Sequence, residues 1–180
     1  MMLPSPHPPV LGFAAWSGTG KTTLLKQLIP ELKANGLRLG VVKHAHHSFD
    51  IDTPGKDSYE LRKAGADHML ISSRQRWALM VERDSGAEPR LQELLTQLPE
   101  GEVDLILVEG FKHEQFPKIE LHRPSRQRPL LFPDDNNIIA IASDAELTPQ
   151  PQIPVLDLND LQGIVDFVMV HLRKKTNAQG

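Results

Sequence analysis

The stretch FAAWSGTGKTTLL, Phe13 to Leu25, decides how the rest of the chain is read. It leads from a short apolar run, VLGFAAW (10–16), through a loop rich in glycine and serine into a segment with helical apolar spacing. Its end, Gly20-Lys21-Thr22, closes the phosphate-binding pattern G-x-x-x-x-G-K-[ST], but Ala15 stands where the pattern has its first glycine. That glycine sits where strand becomes loop, not beneath the phosphates, so one methyl is tolerable there if the local φ is negative. The remaining requirements are met. Gly18 and Gly20 permit the conformations that aim successive N–H groups at phosphate oxygens. A helix opening near Lys21 adds its positive end. Lys21 brings a mobile cation for the β- and γ-phosphates, and the Thr22 hydroxyl can ligate Mg²⁺. The candidate nucleotide-binding residues are therefore Ser17, Gly18, Thr19, Gly20, Lys21, Thr22 and Thr23.

Working outward, apolar runs and helical stripes alternate. In KTTLLKQLIPELKANG, Leu24, Leu25, Leu28, Ile29 and Leu32 share one helical face, and Asn35-Gly36 is a stop signal. Pro30 interrupts this helix, but the stripe continues past it, which predicts a kink and no break. LRLGVVK (37–43) reads as a strand, and KDSYELRKAG (56–65) as a helix ending at Gly65, with Asp57 as its cap. DHMLISS and RWALMVE form a hairpin through Ser73–Gln75. A short helix near 88–98 precedes VDLILVEG (103–110), whose continuous apolar run is that of a central parallel strand. PKIELHR and NIIAIAS are further strands. A closing helix follows Asn159, its cap candidate, with Leu161, Ile164, Val165, Val168 and Leu172 on one face. This order predicts an α/β fold, a mainly parallel sheet flanked by helices with an antiparallel hairpin insertion. It also predicts one domain over 10–175, between a flexible proline-rich N-terminus (1–9) and a flexible tail (176–180).

The composition narrows the function classes. A chain of 180 residues can bury one sizeable core. Lys and Arg number 20 against 23 Asp and Glu, without the basic excess of a nucleic-acid binder. With no cysteine, thiolate metal sites and cysteine nucleophiles are excluded, and a reducing cytoplasm is compatible. No apolar run approaches the ~20 residues that span a bilayer.

Phosphoryl chemistry on such a scaffold needs an acid at the end of a second buried strand, holding Mg²⁺ directly or through water. LILVEG supplies Glu109, followed by Gly110. The segment KHAHHSFDIDTPGKDS gathers His44, His46, His47, Asp50, Asp52 and Asp57 after a strand end. Three readings compete for it: a switch loop that senses nucleotide, a transition-metal site, and a solvated loop. HRPSRQRP (122–129) carries Arg123, Arg126 and Arg128, either as a lid meeting a phosphate or as an exposed polar loop. The Asn-Lys-x-Asp guanine reader is absent; Asp144, after IAIAS, is the strand-end carboxylate available to accept from guanine. Without the resemblance described next, a small-molecule kinase with those arginines as lid and Glu109 or Asp52 near the acceptor stays open. So does a metal-delivery GTPase using His44, His46 and His47.

AAWSGTGKTTLL, KHAHHSFDIDTPGKDSYELRKAGA and DLILVEGFKHEQFPKIEL together closely resemble the molybdopterin-guanine dinucleotide biosynthesis protein B family, in order from about Leu11 to Leu172. The resemblance implies a P-loop α/β fold, a homodimer, and GTP with Mg²⁺ as ligands. It implies an accessory role, with weak GTPase activity, in attaching GMP to molybdopterin. The partners implied are the guanylyltransferase (protein A of the same pathway) and molybdenum-insertion enzymes. Carried over by position, Ser17 to Thr23 bind phosphate, Thr22 and Glu109 hold the magnesium, and His44 to Asp57 is the polar loop. Ala15 is compatible with the family. The PSPHPP tail and the arginine loop show least likeness, and no role is transferred to them.

Overall fold

A computed structural model describes residues 8–45, 49–83, 86–98 and 101–177. These form two compact units, one comprising the chain up to His44 and from Arg90 onward, the other Ala45–Pro89.

In the first unit, six parallel strands lie in the order β2-β5-β1-β6-β7-β8. They are β1 (Val10–Ala14), β2 (Leu39–Lys43), β5 (Leu105–Glu109), β6 (Lys118–His122), β7 (Ile138–Ser143) and β8 (Val155–Asp157), with β3 and β4 in the second unit. Because side chains alternate across a strand, Leu11, Phe13, Leu105, Leu107, Ile119 and Leu121 join one apolar layer. The helices α1 (Lys21–Ala34) and α4 (Leu161–Asn177) complete it through Leu24, Leu25, Leu28, Leu32, Ile164, Val165 and Val168. Val10, Ile106 and Val108 point the other way and meet Phe111, Phe116 and Leu91 and Leu95 of α3 (Leu91–Leu95). A β5 covered on both faces explains its unbroken apolar run.

Helix α1 continues through Pro30, which lies on its exposed side, and stops at Asn35 with Gly36 at φ 87°. Two predicted caps are displaced by one residue. Lys56, extended at φ −93°, precedes α2 (Asp57–Lys63), so Asp57 is the first helical residue, its negative charge at the positive helix end. At α4, Asp160 and not Asn159 caps the helix, its carboxylate accepting the Gly163 N–H at 3.0 Å. The first strand ends at Ala14, two residues earlier than the apolar run suggested, leaving Trp16 exposed. The edge strand β8 was not read from the sequence; three half-exposed residues carry too little pattern.

The second unit holds α2 and the antiparallel pair β3 (His68–Ser72) and β4 (Trp77–Val81), closed by the Ser73 N–H donating to Arg76 O at 2.8 Å. Its buried residues, among those described, are Ser58 and Arg62, and the Arg62 guanidinium is paired with Asp50 at 2.6 Å and Glu82 at 2.5 Å. Register places His68, Leu70 and Ser72 opposite Val81, Leu79 and Trp77, on one face. Leu70, Trp77, Leu79 and Val81 there are all exposed.

Candidate nucleotide site

A parallel sheet gathers the carboxyl ends of its strands along one edge, where ligands of open α/β sheets bind. On that edge of the first unit lie the glycine loop after β1, His44 after β2, Glu109 closing β5, Arg123 after β6 and Asp144 after β7.

The loop has the form that its sequence predicts. Gly18 and Gly20 take φ 76° and 108°, the left-handed region that a side chain rarely adopts. Thr19 is buried and donates its hydroxyl to Trp16 O at 2.7 Å, folding the loop on itself. Ser17, Gly18, Thr22 and Thr23 are exposed, with Gly20 and Lys21 half-buried. Gly20 gives α1 no side-chain cap, and the first turn holds no acidic residue. The orphan N–H groups of that turn are thus without a side-chain acceptor. Ala15 is not among the residues of positive φ, and its methyl packs against the core, so it is accommodated at the loop's mouth.

Lys21 donates to Ala15 O at 3.1 Å. Burial pulls its pKa below the ordinary lysine value; Glu109 opposes this, and Lys112 and Lys43 add to it. Lys43 and Lys112 thus act on Lys21 as like charges, with Glu109 as the opposing one, and an anion would relieve Lys21. The Thr22 hydroxyl donates to Glu109 Oε1 at 3.3 Å, while Lys43 Nζ stands 3.7 Å from Oε2. A hydroxyl and a carboxylate side by side at the mouth of a glycine loop form a hard-oxygen donor set suited to Mg²⁺. The residues therefore fit a phosphate chain with its magnesium: Ser17 to Thr23 would hold the phosphates, Thr22 and Glu109 the metal.

After Glu109, Gly110 and Phe111 both have positive φ, 102° and 52°. A side chain at Gly110 would put its Cβ 2.6 Å from that of His44, whose N–H donates to Glu109 O and whose ring lies 4.8 Å from that of Phe111. His44 thus braces the turn behind the candidate metal ligand.

The rest of the polar segment is engaged elsewhere. Asp50 pairs with Arg62, Asp52 accepts the Ser58 hydroxyl at 2.9 Å, and Asp57 opens α2, all within the second unit. His46 and His47 lie outside the described residues. Among the described residues no three His, Asp or Glu are grouped to hold a metal ion.

Sequence reasoning left the arginine loop without a transferred role, yet it lies over the glycine loop. Arg123 Nε donates to Thr19 O at 2.9 Å and its guanidinium pairs with Asp144. Trp16 Nε1 donates to Pro129 O at 2.8 Å, with Arg128 stacked 5.6 Å from the Trp16 ring. Asp144 therefore stands on the same strand-end edge, joined through one guanidinium to the glycine loop. The signal available in sequence was the run of three arginines between prolines, without its destination.

The model of the family described as "Molybdopterin guanine dinucleotide synthesis protein B" matches residues 10–144. The chain is 52% identical over 168 residues to the molybdopterin-guanine dinucleotide biosynthesis adapter protein of Escherichia coli K12, covering 93% of this chain and 95% of that one. It is 41% identical over 161 residues to the adapter protein of Haemophilus influenzae, covering 89% and 87%. The fold matches the crystal structure of a MobB protein homolog from Bacillus stearothermophilus with a TM-score of 0.69 at 24% identity, over 92% of this chain and 98% of the other. The chain belongs to the molybdopterin guanine dinucleotide synthesis protein B family.

Proposed function

We propose that this protein is a GTP-binding adapter in molybdopterin-guanine dinucleotide biosynthesis, holding GTP and Mg²⁺ in its glycine loop and hydrolysing the nucleotide slowly. The observation that carries this reading is the Thr22–Glu109 pair beside a glycine loop with Gly18 and Gly20 in the left-handed region and Lys21 at its end. Family membership and the adapter relatives support the pathway. Asp144 is the proposed guanine acceptor, because it is the carboxylate that Arg123 ties to the phosphate-binding loop. Slow turnover follows from the absence of a recognisable glutamine to orient the attacking water, a part that a partner would supply. The proposed partners are a second copy of this chain, the molybdopterin guanylyltransferase and molybdenum-insertion enzymes, in the cytoplasm. The exposed apolar face of the hairpin supports the homodimer. Among the described residues no helix is long and apolar enough to cross a membrane.

Calorimetry with GTP and ATP, each with and without Mg²⁺, tests the reading. GTP is expected to bind more tightly than ATP, with hydrolysis far below the ~1–100 s⁻¹ of kinases. Lys21→Ala is expected to abolish binding while leaving the melting temperature of the free protein unchanged. Equal affinity for the two nucleotides would refute the guanine preference, and binding retained in Lys21→Ala would refute the site.

A further inference from the structure

We propose that the segment from Arg123 to Leu131 is a built-in arch that presents Arg126 to the terminal phosphate of the bound nucleotide, so that the protein distinguishes tri- from diphosphate without a partner. The inference rests on the nucleotide reading above and goes beyond it, assigning a role to a segment that the family resemblance leaves without one.

The arch is fixed at both ends and at its middle. At its start, Arg123 bridges Thr19 O and the carboxylate of Asp144. At its end, the fully buried Glu120 of β6 accepts the N–H groups of Leu131 and Phe132, at 2.8 and 2.9 Å. Between them, Trp16 of the glycine loop holds Pro129 O and lies under Arg128. A 3-10 turn over Pro124–Arg126, followed by Gln127 in the left-handed region at φ 51°, sets the local path. A loop serving only as a connector has no need of so many attachments to a second loop.

What the arch holds out is the guanidinium of Arg126. Its Nη1 lies 3.2 Å from the position that a Cβ would take on Gly18, the closest side-chain approach to that glycine. Arg123 has Asp144 as its anion, and Arg128 has the Trp16 ring. Arg126 is exposed; its backbone N–H donates to Arg123 O, but its guanidinium has neither hydrogen-bond nor ion-pair partner among the described residues. An unneutralised planar cation thus lies against the glycine loop at Gly18. The guanidinium fork matches two phosphate oxygens at once, which an ammonium cannot do. A group beside Gly18 adds most where negative charge is greatest, at the end of a triphosphate.

The test is calorimetric titration of the full chain with Mg²⁺ and either a non-hydrolysable GTP analogue or GDP. The wild type, Arg126→Ala, Arg126→Lys and Lys26→Ala, which removes an exposed cation of α1 outside the arch, are compared. Arg126→Ala is expected to weaken the triphosphate analogue about ten- to a hundredfold, as for loss of one hydrogen bond to a charged group, and GDP less than about threefold. Arg126→Lys is expected to recover only part of the loss, and Lys26→Ala to keep the wild-type ratio. An unchanged triphosphate-to-diphosphate ratio in Arg126→Ala overturns the proposal, and so does an equal shift in Lys26→Ala, which would mark a general charge effect. If the wild type binds neither nucleotide, the nucleotide reading itself fails; a wild type that binds with an indifferent Arg126→Ala removes the arch alone.

Discussion

The two compact units of this protein distribute their residues differently. In the first, large apolar side chains fill layers on both faces of the sheet, around two buried charged residues of β6, Lys118 and Glu120, each held by hydrogen bonds. In the second, the buried residues among those described are polar, Ser58 and Arg62, while Leu70, Trp77, Leu79 and Val81 face outward along one side of a hairpin. A two-stranded hairpin alone is marginally stable at best in water, and packing against a helix or further strands is what stabilises it. The contrast teaches where each kind of function resides. The first unit encloses its own apolar core and presents polar groups along one edge of its sheet; the second leaves an apolar face exposed.

The strongest way to break this comparison is to charge the hairpin. In Leu70→Glu/Trp77→Glu, both substitutions fall on the exposed face, so a monomer should fold as before. Analytical ultracentrifugation is expected to show a dimer in the wild type and a monomer in the variant at the same micromolar concentration. Nucleotide affinity should change by less than about twofold, because all the candidate nucleotide ligands lie in the first unit. Burial of several such residues contributes about 25 cal/mol per Å² of apolar area, so the shift in dimer dissociation constant should span orders of magnitude. A variant that stays dimeric would place the interface elsewhere and leave the apolar face unexplained.

How much of this was legible in sequence follows from the range of each interaction. The glycine loop was readable because its strand, turn, cation and helix are contiguous. The stripe of α1 and the two-sided burial of β5 were readable because each element carries its own periodicity. The arginine arch was not, because Thr19 and Arg123 lie 104 positions apart. Only the sheet order, which sets β6 beside β1, brings them together. Asp50 and Asp52 were legible as polar residues after a strand but not as partners of Arg62 and Ser58, which depends on where α2 packs. At α4, Asn159 and Asp160 are both good caps, and sequence does not rank neighbours of equal propensity.

Acidity separates the units more subtly. His122, buried at the end of β6, has its pKa drawn below the ordinary 6.5 by burial, partly offset by Asp144. The unfolded chain therefore takes up this proton more readily, and stability is lost as pH falls through 6.5. Glu120, two residues earlier, works in the other direction: burial raises its pKa above 4.5 against the pull of two N–H donors, so its contribution weakens as pH rises from there. In the second unit, hydrogen bonding by Arg62 lowers the pKa of Asp50 below 3.8, so that pair persists until the pH is far more acidic. Hydrogen exchange at pH 7.5 and 5.5, corrected for intrinsic rates, should show β6 and β7 losing protection while β3 and β4 keep theirs. His122→Gln should remove most of the difference. Equal loss in both units would mean that His122 does not set the response.

The smallest effect expected is at the alanine of the glycine loop, where the two functions of the first unit, packing and binding, meet in one residue. The Ala15 methyl packs against the apolar layer under α1, and its carbonyl accepts the Lys21 ammonium. Ala15→Gly removes the methyl and adds freedom to the unfolded chain, but keeps the carbonyl. Chemical denaturation should register a loss of about 0.5–1 kcal/mol, while GTP affinity changes by less than ~1 kcal/mol, since the methyl lies outside the phosphate nest. A large gain in affinity would show that the natural loop is strained by its alanine. A large loss would show that the methyl, by packing under the loop, holds the Lys21 acceptor in place, and that binding depends on the core that otherwise only supports it.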